Sequence, residues 1–271
     1  MTVLHLTDLH LFADPGRTLM GWATEDSFEA VLDAALAERR PDAVVLTGDL
    51  AQDGSQEAYA RLARRLRPLG SPCLWLPGNH DHAARMAAAF APFPWMRGGT
   101  LDLVPSDAVA EGSTGWRIVA VDTSTLDGDY GVLSATTLQR LDAALRAAPG
   151  RRTVVALHHP PVSVGAAWLD AIGLHDAGAF WRVLDRHPHV KAVLFGHIHQ
   201  AVETKRMSRS GHVVRLLATP ATCFQFAPGT HDFALDARPP AYRWLHFGSS
   251  LRTDLHRVAV ATTCLPTAAG Y

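Results

Sequence analysis

The chain has 271 residues, 48% of them hydrophobic and 19% charged, which supplies a sizeable core and excludes a disordered or fibrous protein. A formal net charge of −1 and a pI near 6.9 leave no overall field to draw the chain onto nucleic acid or an acidic membrane. Three cysteines, Cys73, Cys223 and Cys264, lie far apart with no C-x-x-C spacing, so disulfide scaffolds and thiolate zinc sites are excluded and a reducing compartment is expected.

Met1 leads directly into the first apolar run with no signal-peptide pattern, and no run approaches the ~18 residues of a membrane span. A soluble cytoplasmic protein is expected. Residues 3–6 form a strand that stops before Asp8 and His10, and the loop 11–23 is rich in turn residues. A helix starts near Thr24, read as its N-cap, with Glu25 and Asp26 in the first turn and Phe28, Val31, Leu32, Ala35 and Leu36 on one face. Strand 43–46 stops at Gly48-Asp49. Ser55 then caps a second helix with Ala58, Leu62 and Leu66 inward, and strand 73–76 runs into Gly78-Asn79-His80-Asp81. The βαβαβ rhythm implies a parallel core.

An alanine-rich helix over 83–91 ends at Pro92-Phe93-Pro94, and two short strands, 101–104 and 116–122, flank a Gly/Ser turn. Ser134 caps a third long helix with Leu138, Leu141 and Leu145 at helical spacing. Strand 153–157 delivers His158-His159, a long loop covers 160–177, a helix lies near 179–186, and strand 190–195 delivers Gly196-His197-Ile198-His199. From about residue 201 the pattern alternates over 213–217, 233–235, 242–247 and 255–260, which predicts antiparallel strands without helices. The expected architecture is a single α/β domain over 1–271. Its C-terminal antiparallel portion would complete a second sheet, giving a four-layer αββα sandwich of two mixed sheets flanked by helices. The arginines at 39–40, 61–67 and 151–152 read as solvated helix faces and helix ends.

Ligands of open α/β sheets sit at the carboxyl ends of strands, which is where these polar words fall. Asp8-x-His10, Gly48-Asp49, Gly78-Asn79-His80-Asp81, His158-His159 and Gly196-His197-x-His199 supply carboxylate, amide carbonyl and imidazole but no thiolate. That mixture suits iron, manganese, zinc or cobalt. A carboxylate can bridge two ions through its two oxygens, and two ions roughly 3.5–4 Å apart need about seven protein ligands. The sequence offers that number. A capped turn or a satisfied polar pair explains any one of these words alone. It does not explain their recurrence at five successive strand ends.

The ordered set D-x-H, G-D, G-N-H-D, H-H-P and G-H-x-H, running from Asp8 to His199, resembles the calcineurin-like metallophosphoesterases. The stretches Thr7-Asp8-Leu9-His10-Leu11-Phe12, Gly48-Asp49-Leu50-Ala51-Gln52-Asp53, Trp168-Leu169-Asp170 and Leu217-Ala218-Thr219-Pro220-Ala221-Thr222-Cys223 are similar to the bacterial 3′,5′-cyclic-AMP phosphodiesterase branch, the class III cyclic nucleotide phosphodiesterases. The resemblance implies a metallo-dependent phosphatase-like fold and two divalent ions, Fe2+ or Mn2+ ahead of Zn2+ or Co2+. It places Asp8, His10, Asp49 and His199 on one ion and Asp49, Asn79, His158 and His197 on the other, with Asp49 bridging. His80 is left off the metals beside the substrate, as a general acid or a charge stabiliser, and Asp81 is the second catalytic residue, fixing backbone or imidazole orientation. Substrate contacts fall to His10, Asn79, His80 and His199, with Trp168 an aromatic candidate from the long loop. The reaction implied is hydrolysis of 3′,5′-cyclic AMP to 5′-AMP by hydroxide formed between the ions.

Two alternatives stay open: the same chemistry on a glycerophosphodiester or a 2′,3′-cyclic nucleotide, and a metal-free interaction scaffold, against which the complete donor set speaks. The expected partner is a small cyclic nucleotide, with no nucleic acid and no membrane, and the chain is a monomer or a homodimer. His159, Asp53 and His82 are read as structural, and His187, His189, His212 and His256 as surface residues.

Overall fold

The computed structural model describes residues 1–104 and 115–260; Cys264 and the Gly/Ser turn near 105–114 lie outside them. In chain order the strands are β1 (Thr2–Leu6), β2 (Ala43–Thr47), β3 (Cys73–Leu76), β4 (Met96–Arg97), β5 (Thr100–Leu103), β6 (Trp116–Ala120), β7 (Arg152–Ala156), β8 (Val190–Phe195), β9 (Val202–Met207), β10 (Val213–Ala218), β11 (Ala241–Phe247) and β12 (Leu251–Arg257). The helices are α1 (Thr24–Glu38), α2 (Gln56–Leu66), α3 (Ala83–Phe90), α4 (Ala135–Arg146), α5 (Ala167–Ala171) and α6 (Ala177–Leu184). Two small ribbons pair Thr18–Leu19 with Trp22–Ala23 and Gln225–Phe226 with Leu235–Asp236. No helix among the described residues is long and apolar enough to cross a membrane.

Six strands form each of two sheets, ordered β12-β11-β1-β2-β3-β4 and β9-β10-β8-β7-β6-β5. Strands β1 to β4 pair in parallel, as do β6, β7, β8 and β10, and the flanking strands run antiparallel. Parallel strands covered on both faces need apolar side chains on both, which is why they read as continuous hydrophobic runs. The pleat divides each run between two layers. Val3, Val45 and Leu74 meet Ile118, Val154 and Leu194 between the sheets, whereas Leu4, Leu6, Val44 and Leu46 face Phe28, Val31, Leu32, Tyr59 and Leu62 of α1 and α2. On the opposite outer face Val155, Val193 and Phe195 meet Leu141 and Leu145 of α4 and Phe180 and Leu184 of α6. Each fully buried side chain of this size contributes about 1.5–3 kcal/mol. The result is the four-layer αββα sandwich.

The chain departs from the sequence reading in several local respects. The C-terminal strands are divided between the sheets: β9 and β10 extend the second, and β11 and β12 extend the first. Strand β10 lies parallel to β8, because β9 skips one place and β10 returns to fill it. Alternation of apolar and polar residues reports which face is buried and is silent on strand direction. Thr24 is the first residue of α1, not its cap, and its hydroxyl donates to the His10 carbonyl at 2.9 Å. Ser55 holds the N-cap position of α2 but its hydroxyl makes no cap bond, whereas Ser134 accepts from the Thr137 N–H at 3.0 Å. The loop after His159 contains the short helix α5. Arginines read as solvated join elements: Arg61 and Arg65 of α2 pair with Glu25 and Glu29 of α1. His187 is not a surface residue; it is buried and bonded to Asp142 at 2.8 Å, a partner 45 positions away that no local pattern signals.

Candidate metal centre

Strands β1, β2, β3, β7 and β8 end on one edge, and there the backbone turns sharply. Among the described residues seven non-glycine residues have positive φ, and five of them are Asp8 (53°), His10 (50°), Asp49 (51°), His197 (69°) and His199 (48°). The left-handed conformation costs roughly 1–2 kcal/mol per residue and persists only where neighbours enforce it. The enforcing bonds are visible. Asp8 N–H donates to the Gly48 carbonyl at 3.0 Å, His10 N–H to the Asp49 carbonyl at 2.9 Å, and His197 N–H to the Asp8 carboxylate at 3.0 and 3.1 Å. The two sheets are thus tied at the point where their strand ends meet.

The turned strand ends aim side-chain donors into one buried space. His10 Nε2 and His199 Nε2 are 3.1 Å apart, Asp8 Oδ1 is 3.5 Å from His199 Nε2, and Asp49 Oδ2 is 3.9 Å from His10 Nε2. Beside this group, Asn79 Oδ1 lies 3.1 Å from His158 Nε2 and 3.0 Å from His197 Nδ1, and Asp49 Oδ2 is 3.3 Å from His158 Nε2. Ligand atoms each 2.0–2.2 Å from one ion sit about 3–3.5 Å from one another. Every separation but the 3.9 Å between Asp49 Oδ2 and His10 Nε2 falls in that range, and Asp49 Oδ2 is the atom that adjoins both groups.

Ring orientation follows from the hydrogen bonds behind each ring. His158 Nδ1 donates to the Thr47 carbonyl at 2.7 Å and His199 Nδ1 to the Phe224 carbonyl at 2.9 Å. A carbonyl only accepts, so each ring keeps a proton on Nδ1 and turns Nε2 to the centre. His10 Nδ1 is held by Gln52 Oε1 at 2.6 Å in the same sense. His197 Nε2 is buried with no hydrogen-bond partner among the described residues. Phe226 stacks on the His199 ring at 4.2 Å and 17°.

Burial pushes His10 down to about 3 despite the pull of Asp49, and pushes His197 well below its ordinary value. His158 goes the other way: burial opposes its charge, but the Asp49 carboxylate raises it to about 9. Burial resists ionisation of Asp49 and Asp8 too, yet His158 and His80 hold Asp49 well below the carboxylate range, and His199 holds Asp8 below it. Neutral imidazole and ionised carboxylate are the forms a metal takes, so His10, His197, Asp8 and Asp49 are ready as they stand. His158 gives up a proton on loading.

His80 projects beside this space, with its ring 5.1 Å from that of His10 and edge-on to it. Its N–H donates to Asp49 Oδ1 at 3.0 Å. Asp81 is buried behind, accepting from the N–H groups of Gly78 (2.9 Å), Leu50 (3.1 Å) and Ala51 (3.0 Å) and from the Tyr59 hydroxyl (2.9 Å). It clamps the turn carrying Asn79 to the turn carrying Asp49. Burial and the Asp49 charge raise it to about 6 against those N–H bonds. Trp168 does not lie among the donors; it packs edge-on against Phe226 and Phe233 and donates to Thr230 Oγ1 at 3.2 Å. His159 bonds Thr123 and Asp129, Asp53 accepts from Ala13 N–H, and His82 caps α3.

Gln52, Tyr59, Phe224 and Phe226 support the donors without having been singled out by sequence reasoning. Gln52 stands three residues after Asp49 and could have been noticed. Phe226 lies in a ribbon, with Phe224 just before it, whose approach to His199 is a tertiary fact. Cys223 is also close to His10 and His199, but burial keeps its thiol well above its usual range, so it offers no thiolate.

Two mixed sheets between helices, with oxygen and nitrogen donors at their joined strand ends, define a metal-dependent hydrolase architecture. The chain belongs to the calcineurin-like phosphoesterase family, whose model matches residues 1–201. It is 39% identical over 260 residues to the 3′,5′-cyclic adenosine monophosphate phosphodiesterase CpdA of Escherichia coli K12, covering 95% of this chain and 90% of that one. It is 36% identical to the CpdA of Vibrio vulnificus, over 99% of this chain and 94% of that one, and 37% identical to a 3′,5′-cyclic-nucleotide phosphodiesterase of Nostoc, over 98% and 96%. Among solved structures, a dimetal phosphatase from Danio rerio superposes with a TM-score of 0.57 at 16% identity, over 95% of this chain and 99% of that one. A purple acid phosphatase from yellow lupin does so with 0.58 at 12% identity, over 94% and 51%. These two likenesses concern the fold, which implies a divalent metal centre; the donor set described above fits one.

Proposed function

We propose that this chain is a phosphodiesterase that hydrolyses 3′,5′-cyclic AMP to 5′-AMP at two divalent ions, iron or manganese ahead of zinc or cobalt. The observation that carries the reading is Asp49 Oδ2, which lies 3.3 Å from His158 Nε2 and 3.9 Å from His10 Nε2 and so serves two donor groups at once. Asp8, His10 and His199 would hold one ion, and Asn79, His158 and His197 the other. The names of the relatives, at 36–39% identity over nearly the whole chain, support the substrate.

When bound, the ions supply an activated water and neutralise charge on the phosphoryl oxygens. The chain's own residues do the rest. Thr47, Phe224 and Gln52 keep His158, His199 and His10 in the tautomer that offers Nε2. Asp81 fixes the spacing of the Asp49 and Asn79 turns by accepting from both. His80 stands beside the diester and delivers a proton to the departing 3′-oxygen, an assistance worth about 10²–10⁴-fold. Trp168 shapes the pocket indirectly, by backing Phe226 against His199.

A comparison of kcat/KM across 3′,5′-cyclic AMP, 2′,3′-cyclic AMP and glycerophosphodiesters tests the assignment. The 3′,5′-cyclic substrate is expected to lead; a lead for either of the others moves the proposal to that diester.

A further inference from the structure

A second concave site lies at the opposite end of the second sheet. Arg152, Lys191, Lys205 and Arg215 line a cavity of about 320 Å³, within the range of small-ligand sites. Arg152 opens β7, Lys191 is the second residue of β8, and the cavity reaches Val213 at the start of β10. It therefore sits at the amino ends of strands whose carboxyl ends carry the candidate metal ligands. From Lys191 to His197 the chain spans about 20 Å at ~3.3 Å per residue.

The charges here are unbalanced. Arg215 pairs with Glu203 at 2.5 Å. Arg152, Lys191 and Lys205 make no ion pair among the described residues, and Arg152 and Lys191 reach only backbone carbonyls, of Gly248 at 3.3 Å and of Pro188 at 2.8 Å. Among the described residues, four cations line the cavity and one carboxylate, Glu203, pairs with them, which leaves a surplus of three positive charges. The contrast with another surface cavity is direct: there Arg146, Arg186 and His187 all contact Asp142. Like charges gathered in a concavity raise the local concentration of anions.

The aromatic wall limits what that anion is. Trp116 donates its indole N–H to the Gly248 carbonyl at 2.8 Å, and the Arg152 guanidinium lies 5.7 Å from its ring centroid. With Arg152 over its ring, Trp116 does not offer a nucleobase an open stacking face. Ser249 and Ser250 also line the cavity. We propose that this cavity binds a compact phosphoryl-class oxyanion at a site separate from the candidate metal centre.

Inorganic phosphate, titrated into the metal-loaded chain at ionic strength held constant with chloride, tests this through the indole N–H resonance of Trp116, assigned with Trp116→Phe. Phosphate at the metal centre is too distant to move that resonance directly. The expected result is a saturable shift, weakened at least tenfold in the double variant Lys191→Gln/Lys205→Gln, with kcat/KM on cyclic AMP unchanged. Arg152→Gln, at an exposed position, should weaken it likewise and gives a second reading if the double variant is poorly folded. A Trp116 resonance that phosphate leaves unmoved, that chloride moves equally, or that responds with unaltered affinity in both variants overturns the proposal.

Discussion

Gly48 is the position where one added methyl group should do most damage to the site. Its φ is +95°, and a Cβ there would lie 2.6 Å from His158 Nδ1 and 2.6 Å from the Gly78 backbone nitrogen. Ordinary contact begins near 3.5 Å, so each neighbour must retreat by about 0.9 Å relative to that Cβ. Neither is a flexible chain end: the His158 ring is fixed on the Thr47 carbonyl at 2.7 Å, and the Gly78 N–H on Asp81 at 2.9 Å. Gly48→Ala therefore forces apart its own turn, His158 and the turn carrying Asn79. A misplacement of about 1 Å costs on the order of 10²-fold in rate, and the left-handed φ costs a further ~1–2 kcal/mol of stability. Gly99→Ala separates the two effects, because φ there is +83° and its Cβ would meet nothing within 4 Å. Measured by kcat/KM on cyclic AMP, metal content and thermal melting, Gly48→Ala should lose about 10²-fold and an ion, while Gly99→Ala loses only stability. A folded Gly48→Ala chain with the turnover of Gly99→Ala would refute the close-approach reasoning.

Asp49→Asn should empty both ion positions and His10→Ala chiefly one, since Asp49 Oδ2 adjoins both donor groups and His10 one; an Asp49→Asn chain that still holds two tight ions sinks the bridging role. Because the metal-free chain protonates His158 below about 9, metal affinity at that position should fall about tenfold per pH unit beneath it, and a calorimetric affinity flat from pH 8 to 6 contradicts this. The sign reverses for stability: the folded value of His158 is raised, so its contribution to the metal-free fold is complete below ~6.5 and should disappear as pH rises through about 9. His80→Ala should keep its ions and lose more activity on cyclic AMP than on a nitrophenyl diester, whose phenol leaves without a proton. Equal losses on the two substrates would assign His80 to charge stabilisation.

Much of the site was legible because parallel strands buried on both faces leave unbroken apolar runs, against which Asp8, Asp49, Asn79, His158 and His197 stand out. The sandwich followed from the same runs and the helical spacing between them. After residue 201 the antiparallel pairings follow the alternation, but the second partner of Val213–Ala218 was not legible: that strand also pairs in parallel with β8, because its side-chain period reflects burial alone. Nor were long-range polar partners. His187 looks like any surface histidine until Asp142 is brought to it, and Tyr59 like any core aromatic until its hydroxyl reaches Asp81. Left-handed backbone at Asp8, His10, Asp49, His197 and His199 has no signature in sequence, since Asp and His tolerate that conformation without requiring it.

The most direct test is to strip the chain of metal and follow hydrolysis of 3′,5′-cyclic AMP as Mn2+ is added back in measured equivalents. Activity should be absent without metal, stay low through the first equivalent and reach its plateau at two per chain. Full turnover at one equivalent, or any turnover in the stripped chain, would contradict a centre built around a shared Asp49.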